Sequence, residues 1–424
     1  MSSFAFTALL LLLAAVFGLI NHRTLKLPST IGVLVVALIF SVLVLVIDPW
    51  IVAYDLAGDA RVVLDQANLS HLLLDSVLAF LLFAGSLHVD LAVLRTQKWP
   101  ILALASVGTL IATALLALGM WGIFGLVGTP VPFTWCVVLG AIVAPTDPVA
   151  VSALLQKVGL PAPLQSVITG ESLFNDGIAV VMFLLALGIA TGESGELGLT
   201  HIGIEFGREV GGGVLLGVLA GYAAYRAIRL VDEYNLELTI SLACATGTYT
   251  LAQALGVSGP IAVVIAGLLV GNHATEYAMS KMSRERIVTF WALVDEVLNT
   301  LLFLLIGLEV LAIERDHPII LAMLCAIPLA LLVRLVSVAV PLMVLPARAI
   351  RDARVSRIGA IGVLTWGGLR GGISVALALS LPASPYRDGL LTVCYGLVVF
   401  TIVVQGLTMP WVVRRLLGAP GRAP

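Results

Sequence analysis

Charge is what this sequence has least of. Only 11% of its 424 residues are charged, less than half the roughly 25% of an ordinary soluble domain. No polar stretch is long enough to fold as a separate soluble domain. The net charge of −2 leaves no case for a nucleic-acid partner or a large polybasic tail. Cysteine is scarce as well. Cys136, Cys244, Cys325 and Cys394 are scattered, with neither disulfide nor metal spacing, and read as small apolar fillers. No cofactor is expected. The opening "MSSFAFTALLLLLAAVFGLI" lacks the basic stretch of a cleaved signal peptide, so it is expected to stay as a first membrane span with "NHRTLK" as its basic flank. The other end, "RRLLGAPGRAP", is short, and regulation by a bound partner domain is not expected there.

What the chain has instead is apolar length. It is 60% hydrophobic, with a mean hydropathy of +1.10, and runs of the roughly 20 residues needed to cross hydrocarbon follow one another from end to end. Backbone in lipid must satisfy its own hydrogen bonds, so the fold class is an all-α polytopic membrane protein. The runs predict about thirteen spans: 4–20, 31–47, 72–93, 101–127, 133–158, 166–190, 209–230, 236–255, 260–272, 287–312, 319–345, 356–382 and 388–413. With the N-terminus outside, seventeen of the 23 lysines and arginines fall on inner segments and four on outer ones. Arg334 and Arg370 lie within spans. That bias supports an outer N-terminus, an inner C-terminus and an odd number of spans. The chain then reads as a single transmembrane domain over 1–424, closed by a short cytoplasmic tail at 414–424.

Two spans are interrupted. The fifth holds "AIVAPTDPVAVSALL", where Pro145 and Pro148 each remove an N–H on either side of Asp147. The twelfth holds "IGVLTWGGLRGGISVALALSL", where four glycines surround Arg370. A proline kink and a glycine packing face would be the plain reading. However, each break also carries an ion, and irregular backbone at membrane depth is tolerated where it lines a cavity or is buried in protein. The breaks are seven spans apart. This suggests a first six-helix repeat over 4–190, a linking helix at 209–230 and a second repeat over 236–413. An odd offset makes the two repeats inverted, as in many secondary transporters whose discontinuous helices cross near the midplane.

The sixth span opens with "GESLFNDG". A charge at the bilayer centre costs about 2.5–3.5 kcal/mol even on the lenient insertion scale, so something must compensate two acids there. On a helix Glu171 stacks with Asn175, and Ser172 with Asp176 on the neighbouring stripe, so all four project from one broad face. Three intramembrane acids, Asp147, Glu171 and Asp176, face only two intramembrane arginines. One acid is left without a fixed counter-ion, and such an acid in a cavity can take a proton or a metal cation.

Taken in order, "APTDPVAVSALL", "GESLFNDGIAVVMF" and "WGGLRGGISVALALSL" resemble the sodium/proton antiporters of the bacterial NhaP and animal NHE type, and "LNTLLFLLIGLEV" is similar to the family's tenth span. The resemblance covers nearly the whole chain. It implies an NhaA-like antiporter fold and a secondary antiporter, not an enzyme, that exchanges Na+, or alternatively Li+ or K+, for H+. It also implies a homodimer in a lipid bilayer, with the bacterial plasma membrane as the expected location. By the same resemblance Asp176 is the ion- and proton-binding carboxylate, with Asn175 its neighbour and Ser172 and Thr146 adding oxygen ligands to Na+. Glu171 is expected to pair with Arg370, and Asp147 with Arg334. Family members with Asn before the Asp exchange one ion for one proton, and Asn175 places this chain with them. Some members also carry an acid in the third span, where "FLLFAGSLHVDL" has Ala84, so that ligand is missing.

Other readings are weaker. A K+/H+ exchanger would use the same carboxylate. A channel lacks a filter like TVGYG. An intramembrane aspartyl protease on Asp147 and Asp176 lacks the YD and GLGD motifs. Asp295 and Glu296 are placed two turns into the tenth span, either lining a funnel or at a solvated helix end.

Overall fold

Apolar runs this long have little choice but to close their own backbone hydrogen bonds, and helix is the only regular structure among the described residues. The computed structural model describes residues 3–48, 77–147, 160–192, 199–275, 279–311, 316–344 and 355–417. The expected span portions at 72–76 and 148–158, with Pro148, lie outside them. In chain order the helices are α1 (Ser3–Arg23), α2 (Ser29–Ile47), α3 (Leu78–Leu87), α4 (Leu91–Thr96), α5 (Lys98–Val127), α6 (Phe133–Val143), α7 (Ala162–Thr191) and α8 (Leu199–Ile228). They continue as α9 (Tyr234–Leu255), α10 (Gly259–Ala274), α11 (Lys281–Glu309), α12 (His317–Val344), α13 (Arg357–Trp366), α14 (Gly372–Leu379) and α15 (Arg387–Leu417).

Among the described residues, eight of these helices are long and apolar enough to cross a membrane, and α3, α6 and α10 are shorter apolar helices lying where spans were expected. Their ends follow local chemistry. Ser258, Ser280 and Ser356 cap α10, α11 and α13 by accepting the backbone N–H three residues on. The cap at Ser280 starts α11 six residues before the expected boundary. The linking helix α8 also begins early, at Leu199, because the polar "THIGIEFGRE" stretch continues the helix beyond the apolar run. Gly128 and Gly256 end α5 and α9 at positive φ (85° and 64°), a conformation costly for any residue with a Cβ.

Small residues set how closely the helices pack. Helix α8 lies against α10 through Gly213 and Gly217, where a Cβ would run into the carbonyls of Ser258 and Ala262. Helix α2 lies against α11, and the buried Ser41 Oγ donates to the Gly307 carbonyl at 2.8 Å. Trp291 of α11 is fully buried among Phe80, Phe83 and Phe290, and its Nε1 donates to Ser241 at 3.0 Å. This cluster ties α3, α9 and α11 together. Helices α6 and α14 in turn lie against α7.

Candidate functional site

The two breaks meet. Helix α6 stops at Val143 because Pro145 cannot continue it, and residues 144–147 run on without helical structure. Helix α13 stops at Trp366, and residues 367–371 are likewise open before α14 begins at Gly372. The backbone N–H of Asp147 in the first break donates to the Leu369 carbonyl in the second at 2.7 Å.

Each break also sends its ion to the other's half-helix. Arg370 Nη1 donates to the carbonyls of Ala144 and Pro145 at 2.6 and 3.0 Å, acceptors left open at the C-terminal end of α6. That end carries the negative pole of the helix dipole, which suits a buried guanidinium. The carboxylate of Asp147 packs against Gly371 at the N-terminal end of α14, where an added Cβ would overlap it. The backbone N–H of Arg370 donates to Thr401 Oγ1 at 3.1 Å, at the start of a π-helical turn in α15.

The sixth-span residues do not act as one face. Glu171 turns to α12 and forms a two-pronged pair with Arg334: Nη1 to Oε1 at 2.5 Å and Nη2 to Oε2 at 3.0 Å. Arg334 Nη2 also donates to the Leu364 carbonyl of α13 at 3.3 Å. Asn175 turns to the first break. Its Nδ2 donates to Thr146 Oγ1 at 2.9 Å, its Oδ1 accepts the Thr146 N–H at 3.5 Å, and Ser172 Oγ lies 3.0 Å from the same hydroxyl. Asp176, one turn and a half after Glu171, points elsewhere again, into a cavity of about 60 Å³.

The expected pairing is therefore corrected. Glu171 pairs with Arg334, not Arg370; Arg370 binds carbonyl oxygens; and the Asp147 carboxylate packs against Gly371. The physical reason is that an acid can be balanced by a half-helix end as well as by a formal counter-charge, so counting ions alone could not assign the partners. The count itself left one acid over. Asp176 is 5% exposed, and no hydrogen bond or ion pair reaches it among the described residues.

The cavity is walled by Leu81, Leu82 and Gly85 of α3, by Pro145, Thr146 and Asp147, by Leu173 and Asp176, by Asp295, Asn299 and Leu302 of α11, and by the start of α14. Thr146 and Asp176 thus face it together, whereas Ser172 and Asn175 stand behind Thr146. Ala84 is fully buried in the core, and α3 brings no acid to the wall. Of the two α11 acids, Asp295 lines the cavity, while Glu296 is exposed and accepts from Ser29 Oγ at 3.2 Å. Asn299 escaped the sequence reading. Its spacing of four from Asp295, which its Nδ2 contacts at 3.1 Å, was the available signal.

Comparison with known proteins gives one consistent result. The family described as "Sodium/hydrogen exchanger, transmembrane" matches residues 11–415. The chain is 44% identical over 415 residues to the Na+/H+ antiporter NhaP of Pseudomonas aeruginosa, covering 97% of this chain and 96% of that protein. It is 32% identical over 418 residues to the Na+/H+ antiporter NhaH of Halobacillus dabanensis, covering 97% and 98%. Its fold is similar to that of the sodium proton antiporter MjNhaP1 from Methanocaldococcus jannaschii at pH 8, with a TM-score of 0.71, 20% identity and 99% of both chains covered.

Proposed function

The chain belongs to the sodium/hydrogen exchanger family, and on that premise we propose that it exchanges Na+ for H+ across a membrane by letting the two compete for the carboxylate of Asp176. The observation that carries this reading is the contrast in satisfaction. Glu171, Arg334 and Arg370 each have strong partners, whereas Asp176 is buried at the cavity wall with no hydrogen bond or ion pair among the described residues. A buried, unpaired carboxylate is costly, and either a proton or a cation relieves that cost. The same oxygens cannot serve both at once.

Oxygen donors suit a hard monovalent cation. In this proposal Asp176 supplies the charge and Thr146 an additional oxygen, with Ser172 completing the set through its contact with Thr146. Asn175 holds Thr146 in place and adds no charge, which favours one-for-one exchange. If the empty, charged site does not cross, each proton carried one way is matched by one cation the other way. The proposed moving part is the pair of crossed breaks with α7, in two inverted repeats over 4–190 and 236–413. The remaining elements of the proposal are an outer N-terminus, an inner C-terminus, the bacterial plasma membrane and a homodimer.

The test is cation-induced dequenching of a pH-sensitive dye in proteoliposomes holding a pH gradient. Wild type and Asp176→Asn are compared for Na+, Li+ and K+, with and without a potassium/valinomycin clamp. Wild type is expected to dissipate the gradient on adding Na+, independently of the clamp, and Asp176→Asn is expected to leave it standing. A variant that matches wild type removes Asp176 from the role.

A further inference from the structure

The cavity contains a carboxylate that this mechanism does not use. We propose that Asp295 of α11, oriented by Asn299, is a second station for the monovalent cation, which it takes from water and passes to Asp176. The inference rests on the cation/proton reading above.

Among the described residues three acids line the cavity: Asp147, Asp176 and Asp295. Asp176 is nine-tenths buried, unpartnered and turned into this space, so the cavity is built around a group that lacks a ligand. Asp147 is placed by the crossing itself, with its N–H on Leu369 and its carboxylate at Gly371. Asp295 comes from a different helix and is only half-buried, whereas Asp176 is 5% exposed. Asn299 Nδ2 donates to its Oδ1 at 3.1 Å and to its backbone carbonyl at 2.9 Å. These two bonds fix the carboxylate's direction and leave Oδ2 for another partner.

No group of three or more acids, histidines or cysteines among the described residues converges on one metal position. Asp295 reaches the cavity from α11 and Asp176 from α7, and in the proposal each acid receives the cation in turn. The wall from α3 offers Leu81, Leu82 and Gly85 and no competing donor. A cation moving between the two acids stays within a field of one sign, and low-dielectric walls focus that field and raise the local cation concentration.

The wall also supplies a control. An added Cβ at Gly85 meets nothing within 4 Å, so a side chain can start from this part of the cavity wall without an initial clash. The experiment measures Na+-concentration dependence of exchange for the full chain in proteoliposomes. It compares wild type, Asp295→Asn and Asp295→Asn combined with Gly85→Asp. Asp295→Asn is expected to raise the half-saturating Na+ concentration by about 5- to 10-fold at low ionic strength, with the rate at saturating Na+ changed less than about twofold. The difference is expected to shrink in a concentrated impermeant salt, which screens the outer station more than the inner one. Adding Gly85→Asp is expected to return half-saturation towards wild type, an outcome that a merely structural Asp295 does not produce. Unchanged half-saturation in Asp295→Asn, or a loss of rate at all Na+ concentrations that Gly85→Asp does not relieve, overturns the station. If wild type itself does not exchange, the reading of Asp176 falls and takes this inference with it; an active wild type beside an unaffected variant overturns the station alone.

Discussion

Glu171 and Asp176 share a helix, stand one and a half turns apart and are almost equally buried, at 1% and 5% exposure. Their surroundings are opposite. Glu171 is held by both prongs of Arg334, beside a small cavity of about 10 Å³ lined by Arg334 and Arg370 together with Thr401 and Gln405. Asp176 faces a larger cavity, of about 60 Å³, whose other charged walls are also acids. Five residues at 3.6 per turn rotate a side chain by about 140°, enough to put the two carboxylates on different sides of the crossing. Burial is thus common to both acids, and the presence or absence of a partner is what separates them.

The comparison breaks outright if Asp176→Asn still exchanges. That substitution keeps size and shape but can neither release a proton nor balance a cation, and the expected loss of exchange is about 100-fold or more in the dye assay. Glu171→Gln is expected to act on stability first. It leaves the Arg334 guanidinium buried without its carboxylate, a loss on the order of 3–5 kcal/mol, read as a lowered unfolding temperature in detergent. Combining it with Arg334→Met is expected to recover most of that loss, because an apolar replacement of both partners removes the stranded charge.

Two smaller effects sharpen the contrast. Gly371→Ala places a methyl group where the Asp147 carboxylate lies. The expected cost is about 1–3 kcal/mol of stability, with reduced exchange, measured by thermal unfolding and the dye assay together. Asn175→Ala removes the amide that holds Thr146. Its expected cost is about 1 kcal/mol per lost hydrogen bond, with a raised half-saturating Na+ concentration because an oxygen ligand is no longer fixed. An Asn175→Ala protein with wild-type affinity would show that Thr146 needs no such support.

Much of the fold was legible because its rules are local. Apolar length specifies a span, proline at 145 stops α6, and the glycines around Arg370 open the gap between α13 and α14. Both breaks lie where composition put them. The stock of three carboxylates against two arginines was legible too, although Arg370 donates to carbonyl oxygens and the count alone does not say how many acids lack an arginine. The pairing was not. Glu171 was expected with Arg370, yet Arg334 reaches it, while Arg370 is satisfied by two carbonyl oxygens that carry no signature in the sequence. Asp295 was ambiguous for the same reason. A helix position two turns from an end can face a cavity or water, and only the packing of α11 against α3 turns it inward.

The sequence by itself determined that this chain is a helical membrane protein with proline and glycine breaks in two of its apolar runs. Periodicity, proline and charge count are properties of a chain read in order. The tertiary structure decided which acid is left over, which arginine locks which helix, and that Asp295 shares the cavity with Asp176. Those outcomes depend on where the two breaks cross and on the dipoles of half-helices that face one another only after packing. Residues 147 and 369 lie far apart in the chain and are joined by one hydrogen bond.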